Sequence, residues 1–222
     1  MPLRIHPQNS KIFLYRGKPT VLLTATEHYG SVMNRPFDFE AYLKDTVEKK
    51  ITFTRTFLLF RELQSARNPY STCKPESPDY IAPFPRTGPG KALDGEPIYD
   101  LDQWNPEFFQ RLHRFLQSAS DKGIIVELVL FSNAYADNIW ALNPFRAENN
   151  KQGIGKIEWP EYTSLHDKAL VERQKATLEK LCRKQAAITI FTTRFVMNPG
   201  AASMATSHPP RSISGRSKSL LF

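Results

Sequence analysis

The sequence has only two cysteines, no long apolar run, and no aspartate or glutamate after Glu179. Cys73 and Cys182 show neither CxxC spacing nor a metal-ligand pattern, so we predict two unpaired thiols. No run approaches the roughly 18 apolar residues of a membrane-spanning helix, and the first residues lack the basic and then apolar order of a signal peptide. We therefore expect no membrane partner and, unless an export segment precedes the chain, a cytoplasmic location.

The missing acids also explain much of the positive charge. The net charge is +8, and four cations lie in residues 191–222, which we call the acid-free tail: Arg194, Arg211, Arg216 and Lys218. Because the remaining chain is only mildly basic, we expect no nucleic-acid partner. With 222 residues and 41% hydrophobic content, the chain is long enough for one sizeable core.

Strands and helices alternate along the chain. The runs KIFLY and PTVLLTAT flank a predicted turn at Arg16 and Gly17 and lead into a first buried strand. Asp38 can cap a helix that extends to about Lys50, and ITFTRTFLLF follows as a second strand. The pattern up to this point is strand, helix, strand.

Two long polar segments interrupt the rest of this alternation. Residues 61–104 form a loop rich in proline and glycine, after which Asn105 and Pro106 start a second helix that Gly123 ends. IIVELVLF is a third strand, residues 132–165 form another loop, and HDKALVERQKATLEKLCRK is a third helix. A fourth strand is then expected, and the acid-free tail begins instead.

The alternation of strands and helices predicts an α/β fold with a parallel sheet, either doubly wound or a (β/α)8 TIM barrel. A doubly wound nucleotide-binding domain favours a glycine-rich turn after its first strand, whereas TATEHYGSVMN holds one glycine. The long loops all follow strands, and the turns after helices are tight. This asymmetry favours a barrel whose binding site lies at the carboxyl ends of its strands.

Alternation within the strands places Arg55 and Glu127 on one interior face of the predicted barrel. A charge inside an apolar parallel strand is costly unless it is paired, so the two side chains are expected to contact each other. The pair is either a structural ion pair or a device that orients a catalytic carboxylate.

Polar and aromatic residues gather where the predicted strands end. His28 and Tyr29 follow the first strand and Asn133 follows the third, a combination that suits sugar hydroxyls and the faces of pyranose rings. Trp140 lies in the next loop, either as a loop anchor or as a platform on which a sugar stacks. We predict substrate binding by His28, Tyr29, Arg55, Asn133 and Trp140, with no metal and no cofactor.

Several stretches together resemble cellulase-like glycoside hydrolases of clan A. They are TFTR, NPYSTCKPESPDYIAPFPRTGPG, YDLDQWNPEFFQRLHRFL and IIVELVLFSNAYADNIWALNPFRAENN, and the resemblance covers about residues 3–184. It implies the first three strand-helix units of a TIM barrel, a carbohydrate substrate, and a supporting role for Arg55 beside the nucleophile. The histidine that often ends the third strand in that clan is absent, since FSN stands there.

The resemblance also implies a fourth strand ending in Asn-Glu-Pro, whose glutamate is the general acid/base, and a second glutamate later on as nucleophile. Neither appears in this chain. A one-base change of reading frame supplies the first: the last base of the Met197 codon and the first two of the Asn198 codon spell GAA, which encodes glutamate. Around it, the codons of residues 188–200 permit Asn-Asn-Ile-Tyr-Tyr-Glu-Ile-Cys-Asn-Glu-Pro-Gly.

These observations predict two segments. Residues 1–184 form the N-terminal portion of a TIM-barrel glycoside hydrolase, preceded by a short β-hairpin, and residues 185–222 form an out-of-frame, disordered tail. The chain is then an inactive fragment of a retaining hydrolase of β-linked oligosaccharides or polysaccharides. A non-catalytic carbohydrate-binding protein is the first alternative, and an unrelated α/β protein whose basic tail binds nucleic acid is the second.

Overall fold

The computed structural model describes residues 3–24, 30–59, 79–132, 134, 136–185 and 192–196. Its strands are β1 (Arg4–His6), β2 (Asn9–Tyr15), β3 (Lys18–Thr20), β4 (Phe53–Phe57), β5 (Ile125–Ser132) and β6 (Thr192–Val196). Its α-helices are α1 (Phe39–Glu48), α2 (Pro106–Asp121), α3 (Asp137–Trp140) and α4 (Lys168–Gln185), and short 3₁₀ helices span Ala147–Asn149 and Trp159–Glu161.

The first three strands form a small antiparallel sheet in the order β1-β2-β3. Tyr15 pairs with Lys18, so Arg16 and Gly17 form a two-residue turn. Both have positive φ, 51° for Arg16 and 79° for Gly17, as the turns that suit a twisted hairpin require. The predicted hairpin is confirmed.

The other three strands form a parallel sheet in the order β4-β5-β6. Helix α2 lies between β4 and β5 in sequence, and α4 lies between β5 and β6, so each connection is a helical crossover. The second and third predicted strands and their parallel pairing are therefore confirmed. Strand β6 falls in the segment for which we expected disorder, at the place where the alternation called for a fourth strand.

The helices begin where their capping residues predict. The Asp38 carboxylate accepts from the backbone N–H groups of Glu40 and Ala41, both at 3.0 Å. The Asn105 side chain accepts from the Glu107 N–H at 3.1 Å, with Pro106 at the first helical position. None of the helices in the described part of the chain is both long enough and apolar enough to cross a bilayer.

The core lies between the parallel sheet and the helices packed on it. Residues 125–131 of β5 are all buried, as expected for a central parallel strand. Phe39 of α1 meets Phe115 of α2 edge to face, with ring centroids 5.6 Å apart. The Tyr42 hydroxyl lies 2.5 Å from the Thr54 hydroxyl, which ties α1 to the face of β4 opposite Arg55.

The predicted first buried strand differs from expectation in its described part. Only residues 18–20 form a strand, and they belong to the hairpin. Residues 21–24 lie beside the start of β4, where the Leu23 carbonyl accepts from the N–H groups of Thr52 and Phe53 at 3.1 Å each. Val21 and Leu23 are 53% and 54% exposed, since in the described chain β4 is the only strand on which this segment packs.

Arg111 of α2 anchors the loop that precedes α1. Its guanidinium donates to the carbonyls of Ser31, Val32, Asn34 and Phe37, at 2.6 to 3.2 Å, and lies over the Phe39 ring. Burial, which removes water from around the guanidinium, lowers the pKa of Arg111, and the positive charges of Arg114 and Arg35 act in the same direction. One side chain thereby fixes the course of residues 31–37.

We predict that Arg111→Met destabilises the protein by about 3 kcal/mol or more, because it leaves four carbonyls without their charged donor. The matched control is Arg114→Met on the same helix, where the side chain is exposed and the expected change is within about 0.5 kcal/mol. Urea unfolding followed by circular dichroism measures both. Equal midpoints for the two variants would contradict the anchoring role.

Candidate functional site

The strand ends and the two long loops that follow them form the candidate site. We call the described residues 79–104 the β4 loop and residues 136–167 the β5 loop, since each follows the carboxyl end of that strand. In parallel sheets with helical crossovers, ligands bind at this edge.

Arg55 and Glu127 form the predicted ion pair. The register places Arg55 of β4 opposite Glu127 of β5, and Arg55 Nε donates to Glu127 Oε2 at 2.6 Å. The side chains are 23% and 7% exposed, so the pair is shielded from most solvent. The contact expected from strand alternation is confirmed, and it holds the guanidinium on the face opposite Thr54 and α1.

Trp140 lies in the core beneath the β5 loop. Its side chain is 1% exposed, its ring packs on Tyr162 with centroids 5.0 Å apart, and its Nε1 donates to the Ile157 carbonyl at 3.0 Å. A sugar has no access to a ring in this position, so the structure favours the loop-anchor interpretation of Trp140 over the stacking platform. His28, Tyr29 and Asn133 lie outside the described residues.

The two loops are joined by backbone hydrogen bonds. Tyr99 of the β4 loop donates to the Asn149 carbonyl at 2.8 Å, and the Tyr99 carbonyl accepts from Lys151 at 2.9 Å. Arg86 stacks over the Tyr99 ring at 4.1 Å and forms an ion pair with Asp94. The β4 loop and the β5 loop are therefore bound to each other, and we call the two together the docked layer.

Asp100 is the charged centre of this layer. Its carboxylate is buried and accepts from Gln152 Nε2 at 2.7 Å, Lys151 Nζ at 3.2 Å and Gln103 Nε2 at 3.3 Å. The Gln152 hydrogen bond, followed by the Asp102 backbone N–H and Lys151, holds the pKa of Asp100 below its usual range. Its neighbour Asp102 pairs with Arg173, which extends the network to α4.

Two buried asparagines shape the β5 loop. Asn149 donates to the carbonyls of Ala141 and Asn143 at 2.8 and 2.9 Å and accepts from the Leu93 N–H at 2.9 Å. Asn150 donates to three carbonyls of its own loop and accepts from the Ile154 N–H. Gly155 is required here, because its φ is 83° and a Cβ would lie 1.8 Å from the Phe145 carbonyl oxygen.

Sequence reasoning assigned no role to Asp100, Asn149 or Asn150. The signal that could have found them is the density of short amide and carboxylate side chains in NPFRAENN and YDLDQW, since such residues satisfy buried loop backbone. The contacts that join the two loops, from Asp100 to Lys151 and Gln152 and from Asn149 to Leu93, span more than 50 residues of sequence, so spacing alone does not reveal them.

A surface hollow of about 520 Å³ opens on the β5 loop. Three carboxylates and two cations line it, namely Glu148, Glu158, Glu161, Arg146 and Lys156. Arg146 is already engaged by Asp137 and Glu148, at 2.9 and 3.2 Å. Within the described ranges, no group of three or more His, Cys, Asp or Glu side chains is placed to hold a metal ion.

We predict that Glu127→Gln destabilises the protein by about 3 kcal/mol, because it removes the carboxylate that compensates a shielded guanidinium. The matched control is Glu107→Gln: Glu107 pairs with Arg35 at the same 2.6 Å, but the side chains are 51% and 41% exposed. That loss should be about 1 kcal/mol or less. Urea denaturation separates the two cases, and comparable losses would refute a shielded pair.

We also predict that Asp100 makes the stability of the contact between the β4 loop and the β5 loop dependent on pH. Because its folded pKa is lowered, its stabilisation is fully present above the unfolded value of about 3.9 and disappears as the pH falls through the lower folded value. Wild type should therefore exceed Asp100→Asn in stability at pH 7, with the gap closing in acid. Asp121→Asn, at an exposed carboxylate, is the control, and a gap that does not vary with pH would count against this role.

Comparison with solved structures shows that the fold is similar to those of glycoside hydrolases. The endo-1,4-beta-mannanase from Rhizomucor miehei superposes with a TM-score of 0.50 at 13% identity, over 90% of this chain and 49% of that chain. A candidate glycoside hydrolase from Bacteroides vulgatus gives a TM-score of 0.50 at 16% identity, over 88% of this chain and 39% of that one. The chain thus spans less than half the length of these structures and has a glycoside hydrolase-like α/β fold.

Comparison with curated proteins found no match. The comparison with protein families found one match, over residues 72–185. The matched region begins after β4 in sequence and ends with the last residue of α4. The matched region contains the whole docked layer, including Asp100, Asn149 and Asn150. Because the match covers more than half of the chain, the protein belongs to the family described as "Domain of unknown function (DUF6298)".

Proposed function

We propose that this chain is the N-terminal portion of a (β/α)8 barrel from a retaining glycoside hydrolase that acts on O-glycosidic bonds of β-linked oligosaccharides or polysaccharides. In this proposal residues 1–184 belong to the barrel, and residues 185–222 are translated out of frame. The chain is inactive as written, because neither catalytic glutamate is present.

The position of β6 is the observation that carries the proposal. Val196, the last residue of β6, lies opposite Ser132 at the carboxyl end of β5. In the shifted frame, the forced glutamate falls directly after this point, between the positions of Met197 and Asn198. The codons that spell Asn-Glu-Pro therefore follow a parallel strand that adjoins the two long loops. A barrel glycosidase needs its acid/base at that edge.

The arrangement of strands, helices and loops also supports the proposed glycoside hydrolase barrel. Helical crossovers connect parallel neighbours, the connections after α1 and α2 are short, and the long loops follow the strands. The likeness to glycoside hydrolase structures extends over about nine tenths of this chain. At 13% identity this likeness concerns the fold, so the substrate class rests on the sequence resemblance and on the motif in the shifted frame.

The proposed chemistry requires two carboxyl groups roughly 5 Å apart, one attacking the anomeric carbon and the other protonating the departing oxygen. Arg55 is the described residue with a place in this scheme. Held by Glu127 on β5, its guanidinium is positioned to support a carboxylate nucleophile from a later strand. His28, Tyr29 and Asn133 are proposed to contact sugar hydroxyls and ring faces at the strand ends.

The test is to resequence the gene from the Val171 codon onward and to express both versions. We expect the alternate frame to stay open, to encode Asn-Glu-Pro and further strand-helix units, and to yield a protein that hydrolyses an aryl β-glycoside. The 222-residue chain should show no turnover above buffer. In the restored protein, replacing the glutamate of Asn-Glu-Pro by glutamine should lower kcat about 10²- to 10⁴-fold.

Clear turnover by the chain as written would overturn the predicted inactivity. An alternate frame that closes within a few codons would overturn the frame shift and favour a non-catalytic carbohydrate-binding protein. Isothermal titration with β-linked oligosaccharides then decides that alternative, with Arg55→Met as the variant that should weaken binding and Arg114→Met as its control.

A further inference from the structure

The surface hollow on the β5 loop has a fixed frame. One wall is formed by residues 146–148 and the other by residues 155–161. The Ala147 N–H donates to the Gly155 carbonyl at 3.3 Å, which joins the two walls. Trp140, in the core beneath, donates from Nε1 to a carbonyl of the second wall at 3.0 Å. A ligand would therefore enter a hollow whose backbone is already ordered, which lowers the cost of binding.

The hollow adjoins the carboxyl end of β5. Helix α3 starts at Asp137, soon after β5 ends at Ser132. Arg146, in the first wall, donates from Nη1 to the Asp137 carboxylate at 2.9 Å. The volume of the hollow, about 520 Å³, lies within the range of roughly 300 to 1,000 Å³ that is usual for small-ligand pockets. A sugar chain at the strand ends, where the proposed function places the reacting bond, would thus have the hollow beside it.

The polar groups of the lining retain hydrogen-bonding capacity. Arg146 is shared between two carboxylates, so its charge is compensated. Within the described ranges, Glu158, Glu161 and Lys156 form no ion pair. One oxygen of Glu161 accepts from the Glu158 N–H, at 3.4 Å. Two carboxylates that can accept hydrogen bonds and one ammonium group that can donate them are therefore left for a ligand.

This set of groups suits the hydroxyls of a neutral sugar. A hydroxyl can donate to a carboxylate and can accept from an ammonium group, and hydrogen bonds with one charged partner are roughly twice as strong as neutral ones. Three carboxylates against two cations give the lining a net charge of −1, which opposes a sugar that carries a carboxylate or a sulfate. Ala147 and Ile157 add apolar surface for the C–H groups of the ring.

We propose that the hollow binds one unit of the β-linked chain on which the proposed hydrolase acts, and that this unit is a neutral sugar rather than an acidic one. The inference rests on the proposed function, because the hydrolase supplies the reason for a sugar chain at the strand ends. It narrows the substrate class to β-linked chains without acidic groups at that position. The lining residues named above all belong to this chain, so binding does not require the two catalytic glutamates.

The experiment is a titration of the full 222-residue chain, followed by NMR, with β-1,4-linked mannotetraose and with β-1,4-linked tetramannuronate. The two ligands have the same linkage, and they differ in that a carboxylate replaces each hydroxymethyl group of the first. We expect saturable binding of mannotetraose and a dissociation constant for tetramannuronate that is at least about tenfold higher, because the lining repels its carboxylates.

Glu158→Gln plus Glu161→Gln tests whether the hollow is the binding site. Glutamine keeps the size of each side chain and one acceptor oxygen but removes the charge. Mannotetraose should therefore bind at least about threefold more weakly, and its advantage over tetramannuronate should shrink by at least about threefold. Glu48→Gln plus Glu172→Gln is the matched control, because it changes the net charge equally at exposed positions on α1 and α4. Its affinities should stay within about twofold of wild type.

No binding of mannotetraose at about 10 mM would overturn the proposal, as would equal affinity for the two ligands or equal effects of the two glutamine pairs. Circular dichroism shows whether each variant keeps its fold, and the comparison of ligands on the wild-type chain decides even where a variant misfolds. The gene test judges the proposed function separately. A closed alternate frame together with the expected binding would remove the hydrolase and leave the sugar site, whereas a restored hydrolase whose sugar binding ignores the first glutamine pair would remove the sugar site alone.

Discussion

The parallel pairing of β4 with β5 is the constraint on which the rest of the structure depends. Residues 125–131 of β5 are all buried, so any charge among them needs a partner at the same level of the neighbouring strand. Arg55 and Glu127 meet that requirement in one register only. A slip of one residue would turn Arg55 toward α1, where Thr54 now contacts Tyr42, and would turn apolar side chains away from the core. The ion pair therefore fixes which face carries the helices and where both strands end.

The elements that sequence predicted well are those set by local chemistry. Asp38 and Asn105 mark helix starts because a side-chain oxygen bonds an N–H two or three residues ahead, and Arg16-Gly17 marks a turn through its own backbone angles. The Arg55–Glu127 contact was also predictable, since alternation and burial cost act on single strands. Asp100 was not, because its partners belong to a loop 50 residues further on. The burial of Trp140 likewise depends on Tyr162 and Ile157, whose positions arise only after the β5 loop folds.

The docked loops show how long connections become ordered without regular structure. Buried backbone groups need partners, and here they find them in amide and carboxylate side chains: Asn149, Asn150 and Asp100 together form eleven hydrogen bonds, eight of them with backbone N–H or carbonyl groups. Aromatic packing beneath them joins Phe84, Phe145 and Phe131, the last of these on β5. The order of this layer thus comes from residues within the family match, and it does not require the glutamates proposed for catalysis.

Strand β6 shows why a fold can persist where its chemistry does not. The ladder between β5 and β6 uses backbone N–H and carbonyl groups, which every non-proline residue supplies. The chain holds Thr-Thr-Arg-Phe-Val at this position, and the shifted frame permits Tyr-Tyr-Glu-Ile-Cys, so both translations offer β-branched or aromatic residues that favour a strand. A general acid, by contrast, is a single side chain at a single position, and a one-base shift of the reading frame removes it. A strand that still pairs with β5 can thus coexist with a missing acid/base.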